Sequence, residues 1–360
     1  MTEDARGQYP GLAYRNPADL EAWLKKRPRE AALEPELPII DPHHHFWDTP
    51  QRGRYLLPEL LADIGTGPGG SGHNIVSTVF LECRSMYRKD GPAAMMPVGE
   101  VEFVNGIAAM SASGGYGPCR VAEAIVGHAD LTLGAPVRAV LEAEIKLGGG
   151  RFRGIRHGVS WDPNEAIQKF ATREVPPHLV REPKFREGFA QLAPLGLSFE
   201  SWQYHPQLPD AIDLARAFPD TTIILNHVGG VLGVGPYAGH RPEILAGWKK
   251  DIGELARCPN VNVKLGGVGM PSFGFDFHER DMPPSSEDLA AAWRQYIEPC
   301  IEAFGADRCM FESNFPPDKQ SGGYSELWNA FKRITAGASA AEKKALYSGT
   351  AARVYRITAP

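Results

Sequence analysis

The stretch PIIDPHHHFWD, residues 38–48, joins a short apolar run to three consecutive histidines. If this run is a β-strand, its side chains alternate between two faces, so His43 and His45 share one face and His44 lies on the other. Histidine is the side chain that most often binds metals in proteins. The end of the strand therefore carries a His-x-His pair, which predicts either a metal site or histidines that are hydrogen-bonded at a strand end.

Similar short runs recur along the chain and predict eight β-strands. They cover residues 37–45, 74–83, 105–111, 152–159, 197–204, 221–229, 261–269 and 308–315. Amphipathic segments that predict helices lie between most of these runs, among them residues 121–131, 137–148, 183–196, 209–218 and 285–305. Alternating strands and helices form parallel βαβ units. Eight units predict an α/β protein with a closed (β/α)8 TIM barrel, and an open doubly wound sheet is the alternative.

The proline and charge content of residues 1–36 predicts a peripheral N-terminal extension, which contains a short helix at residues 17–26. The barrel is then predicted to cover residues 37–360. The glycine-rich segment GTGPGGSG, residues 65–72, lacks the lysine of a phosphate-binding loop. We therefore interpret this segment as a flexible loop.

The composition of the 360-residue chain favours a small-molecule partner. A formal net charge of -5 gives no electrostatic case for binding nucleic acid or an anionic membrane. The five cysteines include no Cys-x-x-Cys pair, so neither a disulfide framework nor a thiolate zinc site is predicted. The sequence shows no signal peptide and no apolar run long enough to span a bilayer. We expect a cytoplasmic protein, and its oligomeric state stays open.

Polar and ionisable side chains cluster at the C-terminal ends of the predicted strands, where a TIM barrel has its active site. In chain order they are His43, His45, Glu82, Arg84, Arg153, Arg156, His157, His205, His227, Lys264, Glu312 and Asn314. Their position at one end of the strands predicts a functional site. Simpler structural roles exist for some of them: His227 could bond a turn, Lys264 could be a solvated charge, and Glu82 could merely pair with Arg84.

Five motifs together resemble the amidohydrolase superfamily. They are IIDPHHHFWD, GRFRGIRHGVSWD, LNHVGG, VNVKLGG and RCMFESNFP, in that order. The resemblance covers residues 37–355 and is closest to the branch that includes sugar lactonases and 2-pyrone-4,6-dicarboxylate lactonase. It implies a barrel that hydrolyses a small cyclic ester at its mouth. It also implies that His43 and His45 bind one divalent metal, zinc or manganese, with His205 or His227 completing the site, and metal-free catalysis is the alternative.

The motif at strand eight departs from the family pattern. The family usually has GSDWP where this chain has ESNFP, so Asn314 stands in place of the usual aspartate. A neutral asparagine cannot accept a proton near neutral pH. Because residues 312 and 314 share one face of a strand, we hypothesise that Glu312 supplies the missing carboxylate. The alternative is that Glu312 forms a structural ion pair with an arginine below the site.

These motifs lead to a predicted division of roles. The predicted catalytic residues are His227, Glu312, Asn314 and Glu82. The residues predicted to bind substrate are Arg84, Arg153, Arg156, His157 and Lys264. The arginines are favoured for a substrate carboxylate, because arginine binds a carboxylate through paired N–H groups. The favoured function is hydrolysis of a small carboxylated lactone by water. The alternatives are a non-oxidative decarboxylase of an aromatic or unsaturated acid, an amide or ester hydrolase of the same superfamily, and a barrel that binds a ligand without turning it over.

Overall fold

A computed structural model describes residues 15–50, 52–65, 70–171 and 173–360. Eight parallel strands form one sheet, in which each strand pairs with the next along the chain. They are β1 Pro38–His44, β2 Asn74–Leu81, β3 Arg120–Gly127, β4 Phe152–Arg156, β5 Ser198–Ser201, β6 Ile223–Leu225, β7 Val261–Leu265 and β8 Cys309–Phe311. The predicted α/β barrel is confirmed.

The sheet curls until its last strand meets its first. Just beyond β8, the N–H of Asn314 donates to the carbonyl of His43, and the N–H of His45 donates to the carbonyl of Phe315, both at 2.9 Å. His44 and Phe315 form a parallel bridge. The barrel is therefore nearly closed, and its closure places the residues that follow β8 beside the histidines that end β1.

Helices surround the sheet. They are α1 Pro17–Leu24, α2 Leu57–Ile64, α3 Val98–Ala112, α4 Arg138–Leu147, α5 Glu165–Gln168, α6 Pro183–Phe189, α7 Leu208–Ala217, α8 Arg241–Leu255, α9 Ser286–Phe304, α10 Tyr324–Ile334, α11 Ala340–Lys344 and α12 Thr350–Tyr355. A two-stranded hairpin, Trp47–Thr49 with Gly53–Tyr55, follows β1. Within the described ranges, every helix is too short or too polar to cross a lipid bilayer.

The inward faces of the strands differ between the two ends of the barrel. At the end of the barrel next to α12, the interior is an apolar cluster that includes Ile40, Val79, Val126, Ile224 and Met310. Near the C-terminal ends, the interior holds ionisable side chains, among them His43, Glu200, Lys264 and Glu312. We call the two ends the lower and the upper half of the barrel.

The third strand was predicted in the wrong place. Residues 105–111 belong to α3, and the strand is Arg120–Gly127, inside a segment that had predicted a helix. The buried side chains Val104, Ile107, Ala108 and Ser111 follow helical spacing. An interior strand of a parallel sheet is buried on both faces, so it lacks the alternation that marks a strand.

The described part of the N-terminal extension packs beside α9 and α10. The indole N–H of Trp23 donates to the carbonyl of Arg280 at 2.8 Å, and the Glu30 carboxylate accepts from the N–H of Ser286, also at 2.8 Å. Residues 1–14 of the predicted extension and residues 66–69 of the predicted glycine-rich loop lie outside the described residues. The domain boundary at residue 36 stays a prediction.

Candidate active site

Most of the predicted site residues meet in the upper half of the barrel. The structure brings together His43, His45, Glu82, Arg156, His227, Lys264 and Glu312, all of them buried. Asn314 and His157 lie at the same end of the barrel, next to this cluster. Arg153 and His205 are not part of it.

His43 is at the centre of the cluster. Its Nε2 lies 3.2 Å from Nε2 of His45 and 3.3 Å from a guanidinium nitrogen of Arg156. Nδ1 of His45 is 2.8 Å from the Leu81 carbonyl, so this nitrogen carries the proton and Nε2 of His45 has a lone pair. The two imidazoles therefore face each other through their Nε2 atoms, beside the guanidinium group of Arg156.

Glu312 joins His43 to His227. Its Oε1 is hydrogen-bonded to Nδ1 of His227 at 2.7 Å, and its Oε2 lies 2.6 Å from Nδ1 of His43. Burial raises the pKa of Glu312 to about 8, although Lys264 acts to lower it. Burial, with Lys264 and Arg156 nearby, holds the pKa of both histidines well below the usual value. The contacts of Glu312 are therefore with imidazoles rather than with the arginine that the structural alternative required.

The glycines of the VNVKLGG motif allow this close packing. A Cβ atom added to Gly266 would lie 2.4 Å from Cγ of Glu312, and one added to Gly267 would lie 2.1 Å from Nδ1 of His227. Gly267 also has a φ of +65°, a conformation that side chains disfavour. The loop after β7 can therefore lie flat against both residues only because it has no side chains there.

Asp41 holds the turn after β8 in place. Its Oδ1 accepts from the N–H of Ser313 at 2.9 Å, and its Oδ2 accepts from the hydroxyl of Tyr324 at 2.8 Å. Glu312 and Asn314 flank Ser313, so this carboxylate anchors the backbone of both. The aspartate of the IIDPHHHFWD motif thus fixes strand eight against strand one.

Lys264 lies beneath His43 rather than at the rim. Its Nζ is 2.9 Å from Oε2 of Glu200 and 3.4 Å from Nδ1 of His43, and the side chain is fully buried. Asn226 and Tyr355 also donate hydrogen bonds to Glu200. The alternative of a solvated rim charge is therefore wrong, and Lys264 sits in a buried ionic layer where it contacts His43.

Glu82 pairs with two arginines, Arg156 and Arg173. Nε of Arg156 is 2.9 Å from Oε1 of Glu82, and a guanidinium nitrogen of Arg173 is 3.1 Å from Oε2. Burial acts to raise the pKa of Glu82, but the two arginines hold it below its usual value. The pKa of the half-buried Arg84 is lowered by burial and by the neighbouring charge of Arg173. Two guanidinium groups therefore bond one carboxylate at this side of the mouth, and the charge of that carboxylate also acts on Arg84.

Arg153 points away from the mouth. It is the second residue of β4, and its guanidinium bonds the carbonyls of Gly150 and Tyr355 at the lower half of the barrel. Alternation explains this outcome, because Arg153 and Arg156 are three positions apart and so project to opposite faces of the strand. The expectation that Arg153 lies at the mouth is therefore wrong.

The two other predicted histidines lie beside the cluster with different partners. Nδ1 of His205 accepts from the N–H of Leu232 at 3.2 Å, and its ring packs against Tyr237. Nδ1 of His157 accepts from the N–H of Leu131, also at 3.2 Å. The place beside His43 that the resemblance left to either His205 or His227 is taken by His227.

Three of these residues fit a divalent metal ion. His43, His227 and Glu312 each offer one ligand atom, and these atoms all lie within 4.8 Å of one another. Oε2 of Glu312 is buried and has no aligned hydrogen bond, despite its short contact with His43. Imidazole nitrogen and carboxylate oxygen are donors that zinc and manganese accept. The donor set and the unsatisfied oxygen therefore suit such an ion.

Sequence reasoning missed three residues of this region. Glu200 lies inside β5, whereas the predicted site residues cluster at the ends of strands. Arg173 lies in a loop between β4 and β5, and Asp318 lies in the short helix Pro317–Ser321 after β8, where no periodicity points to a site. Glu200 was detectable, because alternation places it on the inward face of a strand whose neighbours are apolar.

Comparisons with known proteins agree with this architecture. A family model described as Amidohydrolase matches residues 40–357. The uncharacterized protein y4mH of Sinorhizobium fredii is 33% identical over 343 residues, which cover 89% of this chain and 99% of that protein. The L-fucono-1,5-lactonase of Burkholderia multivorans is 27% identical over 346 residues, which cover 89% of this chain and 97% of that enzyme.

Solved structures show the same likeness. The crystal structure of an amidohydrolase from Burkholderia multivorans with bound zinc has 25% sequence identity and a TM-score of 0.67. The match covers 89% of this chain and 99% of that one. Because the family model spans most of the chain and a relative exceeds 30% identity over nearly all of its length, this chain belongs to the amidohydrolase family and is a hydrolase of that superfamily.

Proposed function

We propose that this enzyme opens a small lactone that carries a carboxylate group, by attack of water on the ring ester at the mouth of the barrel. The arginine group beside Glu82 is the observation that carries the proposal. Arg173 bonds Glu82, and its charge also acts on Arg84. Like charges repel, and a carboxylate bound between two guanidinium groups would relieve that repulsion. This favours an acidic substrate over a neutral one.

The chain's own residues can then be given roles. The hydrogen-bonded pair of His227 and Glu312 takes up the proton that the attacking water loses, so Glu312 supplies the carboxylate that Asn314 lacks. Arg156 contacts both Glu82 and His43, and it thereby fixes the central imidazole. Arg84 and Arg173 hold the substrate carboxylate. Lys264 and Glu200 support His43 from below.

A divalent ion held by His43, His227 and Glu312 would polarise the ester carbonyl and lower the pKa of the attacking water. The relative from Burkholderia multivorans that is named an L-fucono-1,5-lactonase supports a lactone as the substrate class.

The test is a panel of five- and six-membered lactones, each assayed with and without a ring carboxylate. We expect kcat/KM for a carboxylated lactone to exceed that of its neutral analogue by at least about tenfold, which corresponds to about 1.4 kcal/mol. Equal values for both members of each pair would contradict the acidic substrate. Release of CO2 from a hydroxybenzoate, without ring opening of any lactone, would identify a decarboxylase instead.

A matched pair of variants separates binding from chemistry. Arg173→Lys keeps the charge but removes the paired N–H groups, so we expect KM to rise for the carboxylated lactone and to stay unchanged for the neutral one. Arg138→Lys is the control, because Arg138 bonds Glu142 on the exposed face of α4. If Arg173→Lys changes KM equally for both substrates, Arg173 does not hold the carboxylate.

A further inference from the structure

Asp318 is a buried carboxyl group at the barrel mouth that the proposed reaction does not use. It is 2% exposed and lies in the short helix Pro317–Ser321, just after β8. Its Oδ1 accepts from the side-chain N–H of Asn314 at 2.7 Å, and its Oδ2 accepts from the backbone N–H of Gly269 at 3.0 Å. One carboxylate therefore joins the turn after β8 to the glycine loop after β7.

The contact between Asp318 and Asn314 determines which way the amide faces. An asparagine amide has a donor and an acceptor of nearly equal size, and rotation by about 180° exchanges them. Burial raises the pKa of Asp318 to about 8, and its hydrogen bonds from Asn314 and Gly269 act to lower it. In its ionised form this carboxylate only accepts hydrogen bonds, as both of its oxygens do here, so it holds the NH2 group of Asn314 and turns Oδ1 to the opposite side. Among the described residues, no donor bonds that oxygen.

Asn314 lies beside the residues that take the proton from water. Its backbone N–H donates to the carbonyl of His43, and Glu312, two positions earlier, contacts both His43 and His227. We propose that Asp318 is a positioning residue, which fixes the Asn314 amide so that Oδ1 accepts a hydrogen bond from the attacking water. The water donates one O–H to Asn314 and loses its other proton to the pair of His227 and Glu312. This inference rests on the proposed hydrolysis.

Asp318 also accepts a hydrogen bond from the N–H of Gly269. An experiment must therefore distinguish a role in holding the loop after β7 from a role in orienting the Asn314 amide. Ser321 donates a hydrogen bond to the carbonyl of Gly269, and this bond holds the loop without Asp318. In Asp318→Asn, the new amide can still accept from the N–H of Gly269 through its oxygen. Its NH2 group would then face Asn314, whose amide would have to rotate and present NH2 to the water. The substitution therefore inverts the Asn314 amide with little change to the loop.

The first experiment compares Asp318→Asn with the exchanged pair Asn314→Asp/Asp318→Asn on a lactone that the wild-type enzyme opens. We expect the single variant to lose at least about tenfold in kcat, with KM and Tm nearly unchanged, because the water is misoriented. In the exchanged pair, one oxygen of the new aspartate accepts from the new asparagine and the other faces the water. We therefore expect kcat to recover to within about threefold of the wild type.

Ser321→Ala is the control, because it weakens the loop without touching the amide; we expect it to lower Tm and leave kcat nearly unchanged. If Asp318→Asn loses activity only in proportion to its loss of Tm, or if the exchanged pair does not recover, Asp318 only holds the loop and the proposal is wrong.

A second measurement does not depend on turnover. In the amide NMR spectrum, we expect the Asn314 side-chain NH2 to exchange slowly with solvent in the wild type and to lose this protection in Asp318→Asn. Unprotected Asn314 NH2 in the wild type would overturn the positioning role. A wild-type enzyme that opens no lactone, yet shows the protected NH2, would overturn the proposed hydrolysis and leave the fixed amide established.

Discussion

The two halves of the barrel interior have opposite chemistry. The lower half is an apolar cluster that includes Ile40, Ile224 and Met310 and is closed by α12. The upper half buries charged groups, among them Lys264 and Glu200. Apolar burial stabilises a fold roughly in proportion to its area, whereas the cost of desolvating a buried ion pair cancels most of its attraction. We infer that the lower half holds the barrel together and that the upper half is retained for chemistry.

Charge balance explains how the upper half tolerates its ionisable groups. Arg156 and Arg173 pair with Glu82, and Lys264 pairs with Glu200. Burial lowers the pKa values of His43 and His227, and the charges of Lys264 and Arg156 lower them further. The histidines are therefore neutral near pH 7, the state in which imidazole can bind a metal or accept a proton.

We expect the largest effect from a substitution that removes the proton acceptor of the upper half and leaves the fold intact. Glu312→Gln should lower kcat by about 100- to 1,000-fold, because an amide cannot take up the proton of water. The free energy of unfolding should stay the same or rise, since burying an amide costs less than burying a carboxylate. Steady-state kinetics and urea denaturation measure the two effects. Glu279→Gln, on an exposed side chain, is the control, and near-normal turnover in Glu312→Gln would exclude the proposed role.

The metal-binding capacity of the upper half can be tested by composition alone. We expect purified protein, made without a metal-affinity tag, to contain about one zinc or manganese ion per chain, as a three-ligand site holds. His227→Ala should lose this metal, because His227 belongs to the group that could hold it. His205→Ala should keep it, because Nδ1 of His205 is bonded to Leu232. Elemental analysis by mass spectrometry distinguishes the two, and metal lost from His205→Ala alone would reverse the assignment.

The ion pair beneath His43 offers a way to measure how much buried charge in the upper half lowers the free energy of unfolding. Lys264→Met should lower the free energy of unfolding by about 3–5 kcal/mol, because it leaves the buried Glu200 without a cation. Adding Glu200→Gln should recover most of this loss, since no buried charge is then unpaired. Urea denaturation of the single and double variants gives the comparison. A double variant as unstable as Lys264→Met would mean that the pair itself stabilises the barrel.

Substitutions in the lower half should lower the stability of the protein and leave its activity nearly unchanged. Ile224→Ala removes a fully buried side chain from the apolar cluster and should cost about 2–5 kcal/mol of unfolding free energy. Ile224→Val, which removes one methylene, should cost about 0.5–1.5 kcal/mol. We expect kcat to stay within about twofold of the wild type in both, as the contacts of the upper half are untouched. A large loss of kcat in the stable Val variant would show that the halves are coupled.

The same division explains which features the sequence could reveal. Alternating strand and helix patterns predicted the barrel, because seven of its eight strands lie where short apolar runs end in polar residues. The third strand was missed because an interior strand such as Arg120–Gly127 carries no alternation. His43, His227 and Glu312 were predicted because strand ends meet at one face of a barrel.

Site residues that belong to no local sequence pattern could not be predicted from the sequence. Arg173 reaches Glu82 from a long loop, and Asp318 reaches Asn314 from a single helical turn. Their positions depend on how loops fold over the mouth, which neither hydrophobic period nor strand order specifies. The direction of Arg153 was predictable in principle from its position in β4, but only once the start of the strand was known.

A buried carboxyl group behind the upper half should make the stability of the protein depend on pH. Oε1 of Glu100 accepts from the N–H groups of Cys83 and Ser85, the residues that flank Arg84, at 3.0 and 2.7 Å. Burial, with Glu82 nearby, raises the pKa of Glu100 from 4.5 to about 8. The folded protein therefore binds this proton more tightly than the unfolded chain does. Its contribution to stability is fully present below pH 4.5 and is lost as the pH rises through 8.

Over that window we expect the free energy of unfolding to fall by about 1.4 kcal/mol per pH unit because of this group. Glu100→Gln keeps the acceptor for the two backbone N–H groups and removes the titration, so its stability should decline less steeply between pH 5 and pH 8. Urea denaturation at several pH values measures both slopes. Burial also raises the pKa values of other carboxyl groups, so a residual slope in the same direction should persist in the variant; these groups are Asp41, Glu144, Glu312 and Asp318. Equal slopes for Glu100→Gln and the wild type would mean that Glu100 is ionised in the folded protein, and that the upper half tolerates more buried negative charge than its cations can balance.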